Sequence, residues 1–422
     1  MSNRKQRKFA VLAGGLATLL FFQTVPAVAQ EDDSRNPFSF SASQSFYRDN
    51  NLGRLPDDKY LSPGYLDKYF EGKRSDTYSV TSLGVRFDTE VSRQAFYAGL
   101  NGTYTKYFTH SNLDNFSPDA RLGWNWRVGD RWSGVLGYSY SGSRVRFEDV
   151  STGVNDGEFK RVMRRLHRFN ASADYWWHPD WATGVGYSYV LNNYDSNERA
   201  WDEYNSQEVR LNLTYRPSTG NRIVLGFIFE DGEYPNQARK AGSLREWERR
   251  DVQLSGVWRL TGVTQLNGYV GYTQRKYNLA PNRDFSGITG RIGFQWTPTG
   301  KAIISLSWRR EIGADQDSVS NYAVSQGWSL QPTWIITSKI SLGASYEYLD
   351  RSYGGDPGIF PPLWAPPPRD SKTKSYGIHF RYMPTSNSNI TLGFRDSRRD
   401  AENYKVYDYC AQTWWLSGSM TF

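Results

Sequence analysis

Leu416-Ser417-Gly418-Ser419-Met420-Thr421-Phe422 closes the chain, with apolar residues or glycine at its even positions and hydroxyls at its odd ones. Alternation of this kind sends successive side chains to opposite faces of a strand. An aromatic that ends an alternating strand points to a bacterial outer-membrane β-barrel. The same two-residue period returns in Val209-Arg210-Leu211-Asn212-Leu213-Thr214-Tyr215, Ile304-Ser305-Leu306-Ser307-Trp308-Arg309 and Ile390-Thr391-Leu392-Gly393-Phe394-Arg395.

The opposite end of the chain agrees. Arg4, Lys5, Arg7 and Lys8 precede an apolar run, Phe9 to Phe22, and Ala27-Val28-Ala29 follows as a small-residue cleavage pattern. This reads as a secretory signal cut between Ala29 and Gln30. The run is short for a retained membrane anchor. Two parts are therefore expected: a leader at 1–29 and a single outer-membrane barrel domain at 30–422.

Mean hydropathy is −0.68, and beyond the leader no stretch approaches the roughly 20 apolar residues of a spanning helix. Barrel strands present only every second residue to lipid, so their hydropathy signal is weak. Aromatic residues make up 16% of the chain, including 16 Trp and 29 Tyr. That is hard to reconcile with so polar a soluble domain, but it suits two aromatic girdles at membrane interfaces. Cys410 is the single cysteine, which excludes an intramolecular disulfide. The formal charge is +8, and four of the cations belong to the leader. The remainder is too mild to indicate nucleic acid.

From residue 76 onward, pairs of alternating strands repeat with a period of roughly 40 residues. Short turns such as Gly129-Asp130, Pro217-Ser218-Thr219-Gly220, Pro298-Thr299-Gly300 and Pro384-Thr385-Ser386 join the strands of each pair. Pro presets a turn dihedral and Gly accepts positive φ. Longer charged loops, at 148–160, 230–245, 315–320 and 354–370, separate the pairs. About 18 antiparallel strands in up-and-down order result, from 38–47 to 406–422, with turns periplasmic and loops extracellular. A β-propeller is the architectural rival.

With apolar positions facing lipid, parity turns Arg121, Arg127, Arg168, Arg210, Arg216, Arg259, Arg275, Arg291, Arg309, Arg381 and Arg395 inward. Asn125, Asn170, Asn212, Gln253, Asn267, Gln295 and His379 share those rows, and carboxylates are expected mostly in loops, with Asp174 an inward exception. A guanidinium stays charged and offers a planar fork of donors to carboxylate or phosphate. Rings of arginine favour anions in a pore. The same residues can instead brace the wall against neighbouring carboxylates, and parity does not separate the two roles.

Trp124, Trp126, Tyr215, Trp258, Trp296, Trp308, Trp334 and Tyr382 fall on lipid-facing rows near strand ends, as an interfacial girdle requires. Inward candidates for sugar contact are fewer, Tyr269 and Trp415 among them. His110, His167, His178 and His379 show no metal-ligand spacing. No carboxylate pair, Ser-His grouping or phosphate-binding loop stands out. Neither enzymatic activity nor a cofactor is expected.

Particular runs resemble the EpsL-type outer-membrane proteins, a β-barrel porin family associated with exopolysaccharide biosynthesis genes in exosortase-bearing Gram-negative bacteria. They are Ser75-Asp76-Thr77 with Leu83-Gly84-Val85-Arg86-Phe87-Asp88 and Ser92-Arg93-Gln94, Trp124-Asn125-Trp126 with Arg131-Trp132-Ser133-Gly134, and Tyr175-Trp176-Trp177 with Pro179-Asp180-Trp181. Arg283-Asp284-Phe285-Ser286-Gly287, Trp296-Thr297-Pro298-Thr299-Gly300-Lys301, Ser320-Asn321-Tyr322 and Pro332-Thr333-Trp334 with Thr337-Ser338-Lys339 continue the likeness. The resemblance implies a barrel taking part in export of an exopolysaccharide. Joined to the inward arginines, it suggests a passive conduit for an acidic glycan, with outer-membrane lipids and periplasmic polysaccharide-synthesis or export proteins as partners. Three other readings stay open: an uptake porin for small anionic solutes or oligosaccharides, a plugged anchoring barrel, and an outer-membrane enzyme.

Overall fold

The computed structural model describes residues 36–145, 161–218, 220–239, 243–314, 322–355 and 370–422. The leader with its cleavage site at Ala29 and Gln30, the loops at 148–160 and 315–320, and most of 354–370 lie outside these residues.

Phe38–Phe422 form one unit, a single sheet of 18 strands. They are β1 (Phe38–Asp49), β2 (Asp76–Val91), β3 (Gln94–Tyr107), β4 (Asn115–Val128), β5 (Trp132–Arg144), β6 (Met163–Tyr175), β7 (Trp181–Tyr194), β8 (Tyr204–Ser218) and β9 (Asn221–Glu233) in the first half. The second half holds β10 (Glu246–Thr261), β11 (Thr264–Tyr277), β12 (Phe285–Thr299), β13 (Ala302–Ala314), β14 (Tyr322–Ile335), β15 (Ile340–Gly354), β16 (Ser371–Thr385), β17 (Ser388–Ala401) and β18 (Tyr409–Thr421). Each strand pairs antiparallel with its neighbours in sequence, and β1 also pairs with β18, matching Ser41 to Thr421 and Asp49 to Thr413. Closure leaves no sheet edge, which rules out separate propeller blades. The final strand is the one that seals the cylinder, so the pattern at Leu416–Phe422 marks the seam.

Turns of two to five residues close one end of the barrel, and that end also carries β1's start and β18's finish. Longer connections occupy the other end. The first of them, between β1 and β2, contains a short helix, α1 (Tyr65–Phe70), which alternation gives no hint of.

Outward rows are apolar and aromatic: Leu83, Leu100, Leu122, Leu254, Leu392 and Leu416 are all exposed. In a water-soluble protein these rows would be a severe liability; around a closed barrel they are the lipid-facing belt. Trp124, Trp126, Tyr215, Trp258, Trp296, Trp334 and Tyr382 all sit near the turn end on outward rows, whereas Trp308 stands mid-strand. This turn-end ring, the apolar belt and the turn-loop asymmetry identify an outer-membrane β-barrel.

Buried clusters gather at the loop end. Tyr234, Leu244, Trp247, Tyr277, Ala280 and Phe285 form one, Leu52, Tyr107 and Leu113 another, and Leu55, Tyr65 and Phe70 a third. Tyr47, Tyr78 and Tyr107 line up in register on the inner face of β1, β2 and β3, with ring centroids 4.9 and 5.0 Å apart. Leu52 of the first loop packs on this ladder. The loop therefore folds against the inner wall. His110 anchors it: Nδ1 lies 2.8 Å from Asp76 Oδ2, and Nε2 lies 3.1 Å from the carbonyls of Phe70 and Lys73.

Candidate functional site: the arginine-lined inner face

The pairing register fixes which side chains point inward. Phe46, Leu83, Leu100, Leu122 and Leu136 define the outward rows of β1 to β5, and each successive register carries the parity to β18. All eleven arginines singled out in the sequence fall on inward rows. Arg121, Arg168, Arg210, Arg291, Arg309 and Arg395 stand seven or eight residues from the turn end of their strands, about half-way along. Arg127, Arg216 and Arg259 stand at the turn-end mouth, Arg381 slightly deeper, and Arg275 near the loop end. Six further arginines, Arg86, Arg164, Arg222, Arg249, Arg351 and Arg399, share the inward rows; the same parity marks them in the sequence. By contrast, the strand lysines Lys106, Lys276, Lys372 and Lys374 all face outward near the loop end.

Carboxylates correct the sequence expectation. Beyond Asp174, the inward rows hold Asp119, Glu208, Glu230, Asp251, Glu311 and Glu347, and most of them pair with arginine. Arg121 meets Asp119 at 3.2 Å, Arg210 meets Glu208 at 3.3 Å, and Arg291 meets Glu311 at 2.8 Å. Arg395 and Arg309 converge on Glu347 at 2.7 and 3.7 Å. Each spans an intervening strand, where Gly377 lies opposite Arg395 and Gly327 opposite Arg309. A Cβ at Gly377 would come within 2.5 Å of Ser345 Oγ, and one at Gly327 within 2.4 Å of the Tyr348 carbonyl oxygen.

The densest group centres on Arg249. Glu208 and Glu230 are directly opposed in register, an arrangement that repels on its own. Arg249 lies opposite Glu230 on the other side and reaches Glu230 at 2.9 Å, Asp251 at 3.1 Å and Glu208 at 3.4 Å. Two arginines rest on aromatic faces instead: Arg275 lies 3.8 Å from the Trp247 ring centroid, and Arg216 lies 4.0 Å from that of Trp176. Such contacts hold a guanidinium without neutralising it.

Arg127, Arg168, Arg259 and Arg381 have no carboxylate partner among the described residues. Arg381 shares its inward row with His379, and its Nε is buried without a hydrogen-bond partner. Tyr269 and Trp415 stand on inner rows. Trp415 lies flat across Gly393, where a Cβ would come within 2.1 Å of the ring. Tyr97, not singled out in the sequence, lies likewise over Gly123. Among the described residues no cluster of His, Cys, Asp and Glu could hold a metal ion.

No protein-family model matches the chain, and no curated protein is similar to it. Among solved structures it is similar to the outer membrane protein OpdK of Pseudomonas aeruginosa, at 13% identity and a TM-score of 0.46, over 91% of this chain and 99% of that one. A BenF-like porin from Pseudomonas fluorescens gives 10% identity and a TM-score of 0.48, over 91% and 98%. OccK2 (OpdF) of Pseudomonas aeruginosa, solved with glucuronate, gives 12% and 0.47, over 92% and 96%.

Proposed function

We propose that the chain is a diffusion channel for small organic anions. The carrying observation is the partition of its inner arginines: one set is spent on wall carboxylates, while Arg127, Arg168, Arg259 and Arg381 are left without them. A charge of one sign on the lumen surface concentrates counter-ions and weakens the barrier to their passage. Four such cations spaced from the turn-end mouth to mid-strand offer successive weak sites rather than one tight one, which suits passage over retention. The polysaccharide export implied by the sequence resemblance would draw on the same inward arginines, and Tyr97 and Trp415 supply flat faces on which a sugar ring could stack.

The test is the reversal potential of the refolded barrel in a planar bilayer under a KCl gradient. Anion preference is expected, and it should fall in the double variant Arg168→Gln/Arg381→Gln while the heat stability of the barrel is kept. Liposomes carrying the barrel should swell faster in glucuronate than in glucose. A cation-selective or closed barrel sinks the reading. Reversible block by an acidic polysaccharide, without permeation of small anions, would return the export reading to first place.

A further inference from the structure

The outer wall is not uniform in charge. The outward rows of β1 to β8 carry Arg48, Lys106, Arg165 and His167 toward the loop end, and no aspartate or glutamate. On the other half, several outward cations meet outward acids: Arg250 pairs with Glu248 at 3.3 Å, Arg398 with Asp396 at 3.0 Å and Lys372 with Glu402 at 3.4 Å. One half of the wall thus sets acids among its outward cations, and the outward strand rows of the other half hold none.

Beneath the uncompensated cations, the same strands hold an apolar groove of about 570 Å³, lined by Ala98, Leu122, Leu136, Tyr138, Phe169 and Ala171 among others. Short side chains at Ala98 and Ala171 among larger ones leave the depression. Tyr138 joins the two zones. Its ring packs on Phe169 at 4.7 Å, and its hydroxyl lies 3.0 Å from His167 Nδ1. His167 also packs on Tyr140 at 4.8 Å. Along β6 the outward order from the loop end is Arg165, His167, Phe169, Ala171. At about 3.3 Å per residue, Arg165 stands about 13 Å from Phe169.

We propose that this wall binds a phosphorylated, acylated lipid of the outer leaflet, with an acyl chain in the groove and the phosphate on Arg165 and His167. A guanidinium is matched to phosphate in shape and charge. An exposed cation at headgroup depth with no counter-ion among the described residues is best satisfied by an anionic lipid. The inference is independent of the channel reading.

Native mass spectrometry of the full barrel in detergent, with diphosphoryl lipid A added, provides the test. A bound lipid should survive on the wild-type barrel. Arg165→Gln should weaken retention roughly tenfold, about 1.4 kcal/mol. Ala171→Trp, which fills the groove, should do likewise, whereas Lys374→Gln on the other half should change nothing. Lipid A stripped of phosphate should bind the wild type as weakly as diphosphoryl lipid A binds Arg165→Gln. Equal retention of phosphorylated and dephosphorylated lipid, or by wild type and Arg165→Gln, overturns the proposal. So does a barrel that dimerises through a cysteine placed at Ala171, since the groove's occupant would then be a second copy.

Discussion

At the scale of single residues, two arginines on the same inner face should answer opposite questions. Arg249 holds Glu208, Glu230 and Asp251 together on a largely enclosed stretch of wall. Removing it leaves Glu230 and Asp251 crowded without a close counter-ion and Glu208 with Arg210 alone, a loss on the order of 3 kcal/mol. Arg249→Met should therefore lower the temperature at which the folded barrel band converts to the unfolded one on a gel. Arg381 has a buried Nε without a partner, so Arg381→Gln should leave that temperature unchanged or raise it. A drop for Arg381→Gln as large as for Arg249→Met would show that both brace the wall. The inward set was legible in the sequence because strand parity is local. The pairing was partly legible too: Asp119 and Arg121, Glu208 and Arg210, and Arg249 and Asp251 stand two residues apart, on one face of one strand. The convergence of Arg309 and Arg395 on Glu347 was not, because it depends on registers set by strands far apart in the chain.

Among elements, the loops share one device. Asp114, Asp284, Asp370 and Asp408 each stand just before a returning strand and accept the backbone N–H at or near the end of the strand before it, from Tyr107 (2.7 Å), Tyr277 (2.8 Å), Tyr353 (2.7 Å) and Ala401 (2.6 Å). Asp195 takes the N–H of Met163 at 2.7 Å from the other strand of its pair. An acid here continues the ladder one step past its last backbone pair, so Asp284→Ala should cost about 1–2 kcal/mol, read as a lower urea midpoint with an unchanged slope. The first loop is pinned differently, through His110 to Asp76 and to the carbonyls of Phe70 and Lys73. His110→Ala should free it, so that trypsin cuts faster after the already exposed Lys59, Lys68 and Lys73 while the barrel band persists; an unaltered digestion pattern would mean that the packing of Leu52 and Phe70 suffices. The eighteen strands were legible as alternation and most of the turns as Pro and Gly chemistry, whereas the turns at Ser92-Arg93 and Ile336-Thr337-Ser338-Lys339 carry neither residue. The helix α1 was hidden because six residues are too few to show a 3.6-residue period.

Across the whole molecule, charge is sorted by direction and by height. Most strand arginines line the interior, while the strand lysines, and the few outward arginines such as Arg48, Arg165, Arg250 and Arg398, face outward toward the loop end. Lysine is the more strongly hydrated and flexible cation and suits the wet headgroup zone. Arginine's rigid fork suits pairing across a pleated wall. This sorting orients the barrel, since the aromatic ring at the turn end carries no such cations, and it places the loops outside the cell. Cys410 reports on that orientation directly. It is the only thiol in the chain, is exposed, and sits at the loop end of β18 opposite Arg398. In intact cells a membrane-impermeant maleimide should label Cys410 without permeabilisation. In a Cys410→Ser background, a cysteine placed at Asn387, in the turn between β16 and β17, should react only once the outer membrane is breached. Labelling of the Asn387 position in intact cells, with Cys410 silent, would invert the barrel. The arginines at the turn-end mouth would then face the medium rather than the periplasm.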